Sequence, residues 1–259
     1  MQTPHEWWKD YFSANYGTLY RGPLAPELST KEEVETLVRL FSENAGPVLD
    51  LGCGFGRHLT ALRRAKVRAF GVDYSADLLR QIPDAQRKFS VRGDIRHLPF
   101  ADATFSGACM LFNTFGYFAE QDNGAALAEI ARVLKPGAPL VLDIPARSGM
   151  RAVVHDLPAS IRTQGDTSIY EAWSYDDATH RLLAKGTWRI KEIAQEWELS
   201  IRLYTPAEIS RLLRKAGFRA APEIRPNEDF MLLGTGEDLP PDSAGFWRTV
   251  TNMAVLARR

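Results

Sequence analysis

The stretch Val48-Leu49-Asp50-Leu51-Gly52-Cys53-Gly54-Phe55-Gly56-Arg57-His58 decides how the rest of this chain is read. Val48 to Leu51 is a short apolar run carrying one acid, the pattern of a strand buried in a parallel sheet. Gly52, Gly54 and Gly56 then alternate with other residues ahead of a helix-forming segment, Leu59 to Ala65. Glycine lets the backbone turn sharply and lets a ligand lie against bare main chain. The helix that follows points free N–H groups at whatever occupies the turn.

The next strand supports a ligand-binding reading of the turn. Val67 to Asp73 alternates and ends in an acid, about 20 residues beyond the glycines, where an α/β nucleotide site places the carboxylate for the ribose hydroxyls. Val91-Arg92-Gly93-Asp94 closes another short strand at the same sheet edge with a further acid. The glycine spacing is Gly-x-Gly-x-Gly, preceded by Asp50, and not the Gly-x-Gly-x-x-Gly of dinucleotide folds. The run Asp50 to Gly56, then Gly71-Val72-Asp73-Tyr74-Ser75, then Gly93-Asp94-Ile95 with Leu98-Pro99-Phe100, resembles a class I S-adenosylmethionine-dependent methyltransferase. Arg132-Val133-Leu134-Lys135-Pro136-Gly137 is similar to the turn before that family's fifth strand. These motifs span residues 46–145 and are specific as a set, though no single one is.

The resemblance implies an α/β fold: a Rossmann-like, doubly wound, seven-stranded sheet whose last strand runs antiparallel. It implies S-adenosyl-L-methionine as cofactor, held by Asp50, Gly52, Cys53, Gly54, Gly56, Asp73, Tyr74, Asp94, Ile95, Leu111 and Asn113. Asp50 would steady the glycine loop and reach the amino group of the methionine part. Asp73 would take the ribose hydroxyls, and Asp94 the adenine amine, with Ile95 against the ring.

Composition sets outer bounds. Lys+Arg and Asp+Glu number 32 each, so the net charge is zero, and no basic excess draws a phosphate backbone. The methyltransferases that act on DNA or RNA amino groups usually carry a Pro-Pro-aromatic motif where this chain has Asn113-Thr114-Phe115, a second mark against a nucleic-acid target. Two cysteines, Cys53 and Cys109, make no disulfide framework, and a cytoplasmic setting is expected. No apolar run is long enough to span a bilayer, and no metal site is expected.

The whole chain, 1–259, reads as a single methyltransferase domain. An N-terminal helical cap covers 1–45, a cofactor-binding core 46–145 and 204–259, and an inserted β-subdomain 146–203. In the cap, Trp7/Tyr11 and Trp8/Phe12 are spaced so that a short helix puts each pair on one side. Tyr11, Tyr16 and Tyr20 are expected nearer the substrate because each carries a polar handle, the alternative being that the segment only staples itself onto the core. Overlapping capping boxes at Ser29 to Glu33 start a packing helix that Gly46-Pro47 stops.

Further along, strands are expected at Phe89–Arg92, Ala103–Phe112 and Pro139–Ile144, with Asp122 capping a helix from Asn123 to Leu134. In the insert, Ser168–Tyr175, Leu182–Lys191 and Gln195–Tyr204 have strand character. Trp197, Leu199, Ile201 and Leu203 alternate there with polar residues. Thr205-Pro206-Ala207-Glu208 opens the next helix, and Phe218–Ile224 and Arg248–Leu256 supply the last two strands. Pro226 to Gly245 reads as a polar loop.

The expected activity is methyl transfer to a nitrogen or oxygen of a small molecule by in-line displacement, in a monomer or homodimer. The catalytic candidates are Asn113, Tyr117, Tyr11, Tyr16, Arg202 and Tyr204; His58, His97 and His155 are weaker ones. A general base is needed only for a hydroxyl or a protonated amine. The alternatives are a non-methylating protein that uses the same cofactor fold, and an NAD-dependent oxidoreductase, against which the glycine spacing and Asp94 argue.

Overall fold

The computed structural model describes residues 6–21, 30–42, 46–219, 222–226 and 252–259. Its main sheet has seven strands: β1 (Val48–Leu51), β2 (Ala69–Asp73), β3 (Ser90–Arg92), β4 (Gly107–Met110), β5 (Pro139–Pro145), β10 (Glu223–Pro226) and β11 (Asn252–Arg258). They lie in the order β10-β11-β5-β4-β1-β2-β3. β11 is antiparallel to both of its neighbours, and the other pairs are parallel. The expected sheet, with its last strand reversed, is the one observed.

The central strands β1, β4 and β5 are buried on both faces because helices cover each side. In β1, Val48 and Asp50 face one way and Leu49 and Leu51 the other. The first face packs under α3 (Thr30–Ser42) and α4 (Arg57–Arg64), with Leu37, Leu40, Phe41, Leu59 and Leu62 in one apolar cluster. The second packs against α7 (Glu120–Val133), through Leu127, Ile130 and Ala131. Thr205 caps α9 (Pro206–Lys215) in a full capping box with Glu208, as the sequence predicts.

A second sheet of four antiparallel strands, β6 (Ala159–Gln164), β7 (Thr167–Asp176), β8 (Arg181–Ile190) and β9 (Ile193–Arg202), is inserted after β5. Three of these are the expected strands. β6 and the preceding α8 (Arg147–Asp156) were not foreseen: β6 is an edge strand with largely exposed residues, and it has no clean apolar alternation. The alternating residues of β9 bury Trp197, Leu199 and Ile201. Ahead of β1, α1 (Trp8–Tyr11) and α2 (Ala14–Arg21) lie against this insert and the main sheet, with Trp7, Trp8, Tyr11 and Tyr16 buried.

Some expected boundaries shift. The fourth strand is Gly107–Met110 only, because Ala103, Phe112 and Asn113 all have positive φ and cannot extend a ladder. The N-cap of α7 is Ala119, not Asp122. Asp122 sits within the first turn, where its charge suits the helix N-terminus. No side chain caps the helix; Asn123 in its first turns instead holds the residue before the N-cap, accepting from Phe118 N–H and donating back to Phe118 O at 3.3 and 3.0 Å. The tenth strand begins at Glu223, and the final one is Asn252–Arg258. Ser29, most of the loop 226–245 and the stretch 248–251 lie outside the described residues. No helix among the described residues is long and apolar enough to cross a membrane.

Candidate functional site

At the carboxyl ends of β1, β2 and β4 the glycine turn is held open by its own backbone. Gly52, Gly54 and Gly56 have φ of +68°, +52° and +79°, a region closed to most side chains. Gly52 is further restricted: a Cβ there would sit 2.3 Å from Thr114 Cγ2. Asp73 braces the turn, its Oδ2 accepting from Gly54 N–H and its Oδ1 from Ser75 N–H, each at 2.8 Å. Each carboxylate oxygen keeps a lone pair for a further donor. Desolvation at the strand end pushes the Asp73 carboxyl up to about 6, against the pull of its two backbone donors.

Asp50 lies beneath the turn, accepting from Leu59 N–H at 3.0 Å, and burial raises its pKa. On the far side, Asp94 accepts from Arg96 N–H at 2.9 Å and from its guanidinium at 2.7 and 3.1 Å. Burial alone would raise the Asp94 carboxyl; Arg96 outweighs it and holds the group below its ordinary value. The Arg96 guanidinium also stacks over Phe118 and Trp8, at 4.5 and 5.6 Å from the ring centres.

These groups line one cavity with a set of aromatic rings. Trp8 stands edge-on to Tyr74 at 4.7 Å and to Phe118 at 5.6 Å. Phe12 meets Tyr16 at 4.9 Å and Tyr117 at 5.6 Å, and its carbonyl accepts from Ser75 Oγ at 2.5 Å. Phe112 and Thr114 complete that side. Burial raises the Tyr16 and Tyr117 phenols well above their ordinary value, so both are neutral hydrogen-bonding groups at physiological pH.

The cavity brings together Asp50, Gly52, Cys53, Gly54, Asp73, Tyr74, Asp94, Ile95 and Leu111 from the expected cofactor set, with Tyr16 and Tyr117 from the catalytic candidates. The remaining candidates sit elsewhere. Gly56 backs onto Ile82, whose Cγ1 would lie 3.0 Å from a Cβ added there. Asn113, in the left-handed region beside Phe112, accepts from Asn252 Nδ2 at 2.8 Å and donates its own N–H to Asp143 O at 3.2 Å. Asp143, raised by burial to about 6, accepts from Phe112 N–H and Asn252 and so fixes this strained pair.

Tyr11 is packed between Trp188 and Trp197, at 5.0 and 5.2 Å. Tyr204 hydrogen-bonds Asn123 and Glu120, and Arg202 pairs with Glu120 and Glu208. His58, at 2.9 Å from Glu33, and Arg57, at 3.1 Å from the same acid, reach the cavity from α4. His155 is exposed beside Asp156, and His97 closes a turn with Asp94.

The N-terminal tyrosines are expected at the site for their hydroxyls. Of the two helical pairs in that segment, Trp8/Phe12 lines the cavity and Trp7/Tyr11 faces the insert. Of the N-terminal tyrosines, Tyr16 lines the cavity and Tyr11 packs against the insert.

Residues 48–137 match the profile of a methyltransferase domain family. Over 117 residues the chain is 38% identical to a demethylmenaquinone methyltransferase of Lactiplantibacillus plantarum, covering 41% of this chain and 48% of that protein. It is also 29% identical over 133 residues to a dTDP-3-amino-3,4,6-trideoxy-alpha-D-glucopyranose N,N-dimethyltransferase of Streptomyces venezuelae, covering 49% and 54%. The matched stretches thus span about half the length of these curated relatives. In fold, the chain is similar to the solved structure of S-adenosylmethionine-bound CalS10, an amino pentose methyltransferase from Micromonospora echinaspora. The TM-score is 0.62 at 17% identity, over 95% of this chain and 97% of that one. Residues 48–137 thus carry a methyltransferase domain, and the glycine turn, strand-end acids and reversed last strand sit in the Rossmann-like fold of the solved S-adenosylmethionine-dependent methyltransferases.

Proposed function

We propose that this protein transfers the methyl group of S-adenosylmethionine to a nitrogen of a small-molecule amine. The observation that carries the reading is the make-up of the one cavity. Bare glycine backbone with Asp73 and Asp94 supplies one set of its lining residues, and Phe12, Tyr16, Phe112 and Tyr117 supply another. The first set fits the cofactor: Gly52 and Gly54 leave main chain open, Asp73 has lone pairs for the ribose hydroxyls, and Ile95 offers an apolar surface to the adenine.

The bound sulfonium supplies a methyl already activated for displacement. The protein's part is therefore alignment and exclusion of water, worth up to about 7–11 kcal/mol in well-oriented reactions. The amine lone pair forms the new C–N bond as the C–S bond breaks, its electron pair stays on sulfur, and the nitrogen sheds a proton to solvent. Aromatic walls suit an amine in either charge state. Phenols held neutral by burial are donors and orienting groups, poor bases for activating a hydroxyl acceptor. The dimethyltransferase relative, named for a nitrogen acceptor, supports the same choice.

The test has two stages. Calorimetry should give heats for S-adenosylmethionine and S-adenosylhomocysteine and none for NAD. Incubation with the methyl donor and separate panels of amines and phenols should then release S-adenosylhomocysteine with amines alone. Turnover of phenols only would move the acceptor to oxygen. Binding with no turnover on either panel would favour the non-methylating alternative.

A further inference from the structure

Arg181 opens β8 on the face opposite Trp188 and Trp197, and it is 7% exposed. Its Nε donates to Ser200 Oγ at 2.6 Å, and its Nη2 to Ser200 O at 2.7 Å. Nη1 donates to Phe118 O at 3.0 Å, while Nη2 also lies 3.2 Å from Tyr117 O and 3.3 Å from Gly116 O. Among the described residues no carboxylate forms an ion pair with it. A buried cation costs several kcal/mol unless other groups replace its water. Here three consecutive carbonyls of one loop and both oxygens of Ser200 do so. Such an arrangement constrains the loop as strongly as it satisfies the guanidinium, whose rigid fork has fixed directions.

The loop it grips is the one that brings Tyr117 and Phe118 into the cavity. Gly116, at φ +99°, is pressed so close to the end of β9 that a Cβ would lie 2.5 Å from Arg202 O. Gly116 O accepts from Arg202 N–H at 2.8 Å as well as from Arg181. Ser200 O is shared too, because Trp7 Nε1 donates to it at 3.0 Å. Trp7 in turn stands edge-on to Tyr117 at 4.9 Å. The N-terminal segment, the insert and the loop after β4 thus meet at one guanidinium and one carbonyl.

The geometry points to Arg181 as the positioning residue of the acceptor chamber. It sets Tyr117 and Phe118 through their carbonyls and, through Ser200 O, couples that loop to Trp7 of the N-terminal segment, which packs behind Tyr117. The assignment rests on the methyl-transfer reading only in naming the chamber. It gives the inserted sheet a role: β8 and β9 contribute no residue to the cavity lining, yet they fix the loop that supplies Tyr117 and Phe118 to it.

The test compares the full-length wild type with Arg181→Met, Arg181→Lys and Ser200→Ala by hydrogen exchange with mass spectrometry, and by calorimetry with S-adenosylhomocysteine. In Arg181→Met, exchange across residues 114–120 and 6–12 should rise at least tenfold while β1 and β2 keep wild-type rates. The affinity for S-adenosylhomocysteine should stay within fivefold. Arg181→Lys, which keeps the charge but loses the fork, should fall between. On whichever amine the wild type turns over, Arg181→Met should lose at least tenfold in kcat with KM for S-adenosylmethionine little changed.

Wild-type exchange at 114–120 in a folded Arg181→Met protein would overturn the assignment. So would a rise spread evenly over the molecule. Should Arg181→Met not fold, Ser200→Ala removes a single acceptor and should raise exchange in the same two segments about threefold; its failure to do so would overturn the assignment equally. A wild type that binds no S-adenosylhomocysteine would defeat the methyl-transfer reading and leave the exchange comparison to judge Arg181.

Discussion

The cofactor side of the cavity is assembled from consecutive strand ends: Gly52 and Gly54 after β1, Asp73 at the end of β2, and Asp94 just beyond β3. The aromatic side draws Trp8, Phe12 and Tyr16 from the N-terminal helices and Phe112 to Phe118 from the loop after β4, and Arg181 of the insert holds that loop. One side is local and set by backbone geometry. The other is tertiary, and its parts are positioned by packing over long sequence separations. Damage to the first should cost ligand binding and spare the fold; damage to the second should cost stability or turnover and spare cofactor affinity.

The largest effect is expected from Tyr11→Ala. Tyr11 fills the space between Trp188, Trp197 and Trp7, at ring distances of 5.0 to 5.6 Å, and lies outside the cofactor cavity. Its truncation should lower unfolding free energy by about 3–5 kcal/mol in a denaturant titration. Cofactor affinity, measured by calorimetry well below the unfolding temperature, should change little. A large loss of affinity at unchanged stability would erase the distinction between the two sides.

Asp73→Ala comes next, with the opposite signature. Losing a charged acceptor for the ribose and the brace on Gly54 N–H should weaken cofactor binding by roughly 1.5–3 kcal/mol. The melting temperature of the free protein should not fall, because ionised Asp73 is held there at a desolvation cost. Unchanged affinity would put the ribose contact elsewhere.

A pH series sharpens the same point. Asp73 and Asp143 titrate at about 6 in the folded chain, above the unfolded carboxylate value of about 3.9. Between those values the folded state holds protons that the unfolded state has released. The contribution of these two groups to stability therefore falls as pH rises from about 4 to 6 and is level above that. If cofactor binding needs ionised Asp73, affinity runs the other way. It should be flat above pH 7 and drop by up to tenfold per unit, about 1.4 kcal/mol, below about 6. Calorimetry from pH 5 to 8 reads this directly, and Asp73→Asn should flatten the curve.

The smallest binding effect belongs to Tyr117→Phe. The ring stays and the neutral phenol goes, so cofactor affinity should hold within about twofold, or 0.4 kcal/mol. Turnover of an amine acceptor should fall roughly tenfold or more if the hydroxyl orients it. Equal losses in both would assign Tyr117 to the cofactor side.

The same contrast explains what could be read from the sequence. The glycine turn and the strands around it were legible because they rest on local pattern: a short apolar run, alternating glycines and an acid where a strand ends. The seven-stranded sheet and its reversed last strand came only from the resemblance to a family. The wall opposite was only half legible. Helical spacing separated Trp8/Phe12 from Trp7/Tyr11, but nothing in that segment says which pair meets the cavity, since β8 and β9 decide it from more than 170 residues away. Asn113 carries the composition of a site residue, and its partner Asn252 comes from the last strand. Arg181 was not among the residues that the sequence singled out. Only the tertiary fold shows that it is buried against three carbonyls of a loop more than 60 residues earlier.

In the proposed arrangement the two sets of lining residues face each other across one methyl group. A crystal structure of the full chain with S-adenosylhomocysteine tests it most directly. That arrangement predicts the ribose hydroxyls on Asp73, the amino-acid part over Gly52 and Gly54, and the adenine beside Asp94 and Ile95, with the sulfur turned toward Tyr16 and Tyr117. A ligand bound elsewhere, or one whose sulfur faces away from those rings, would contradict it.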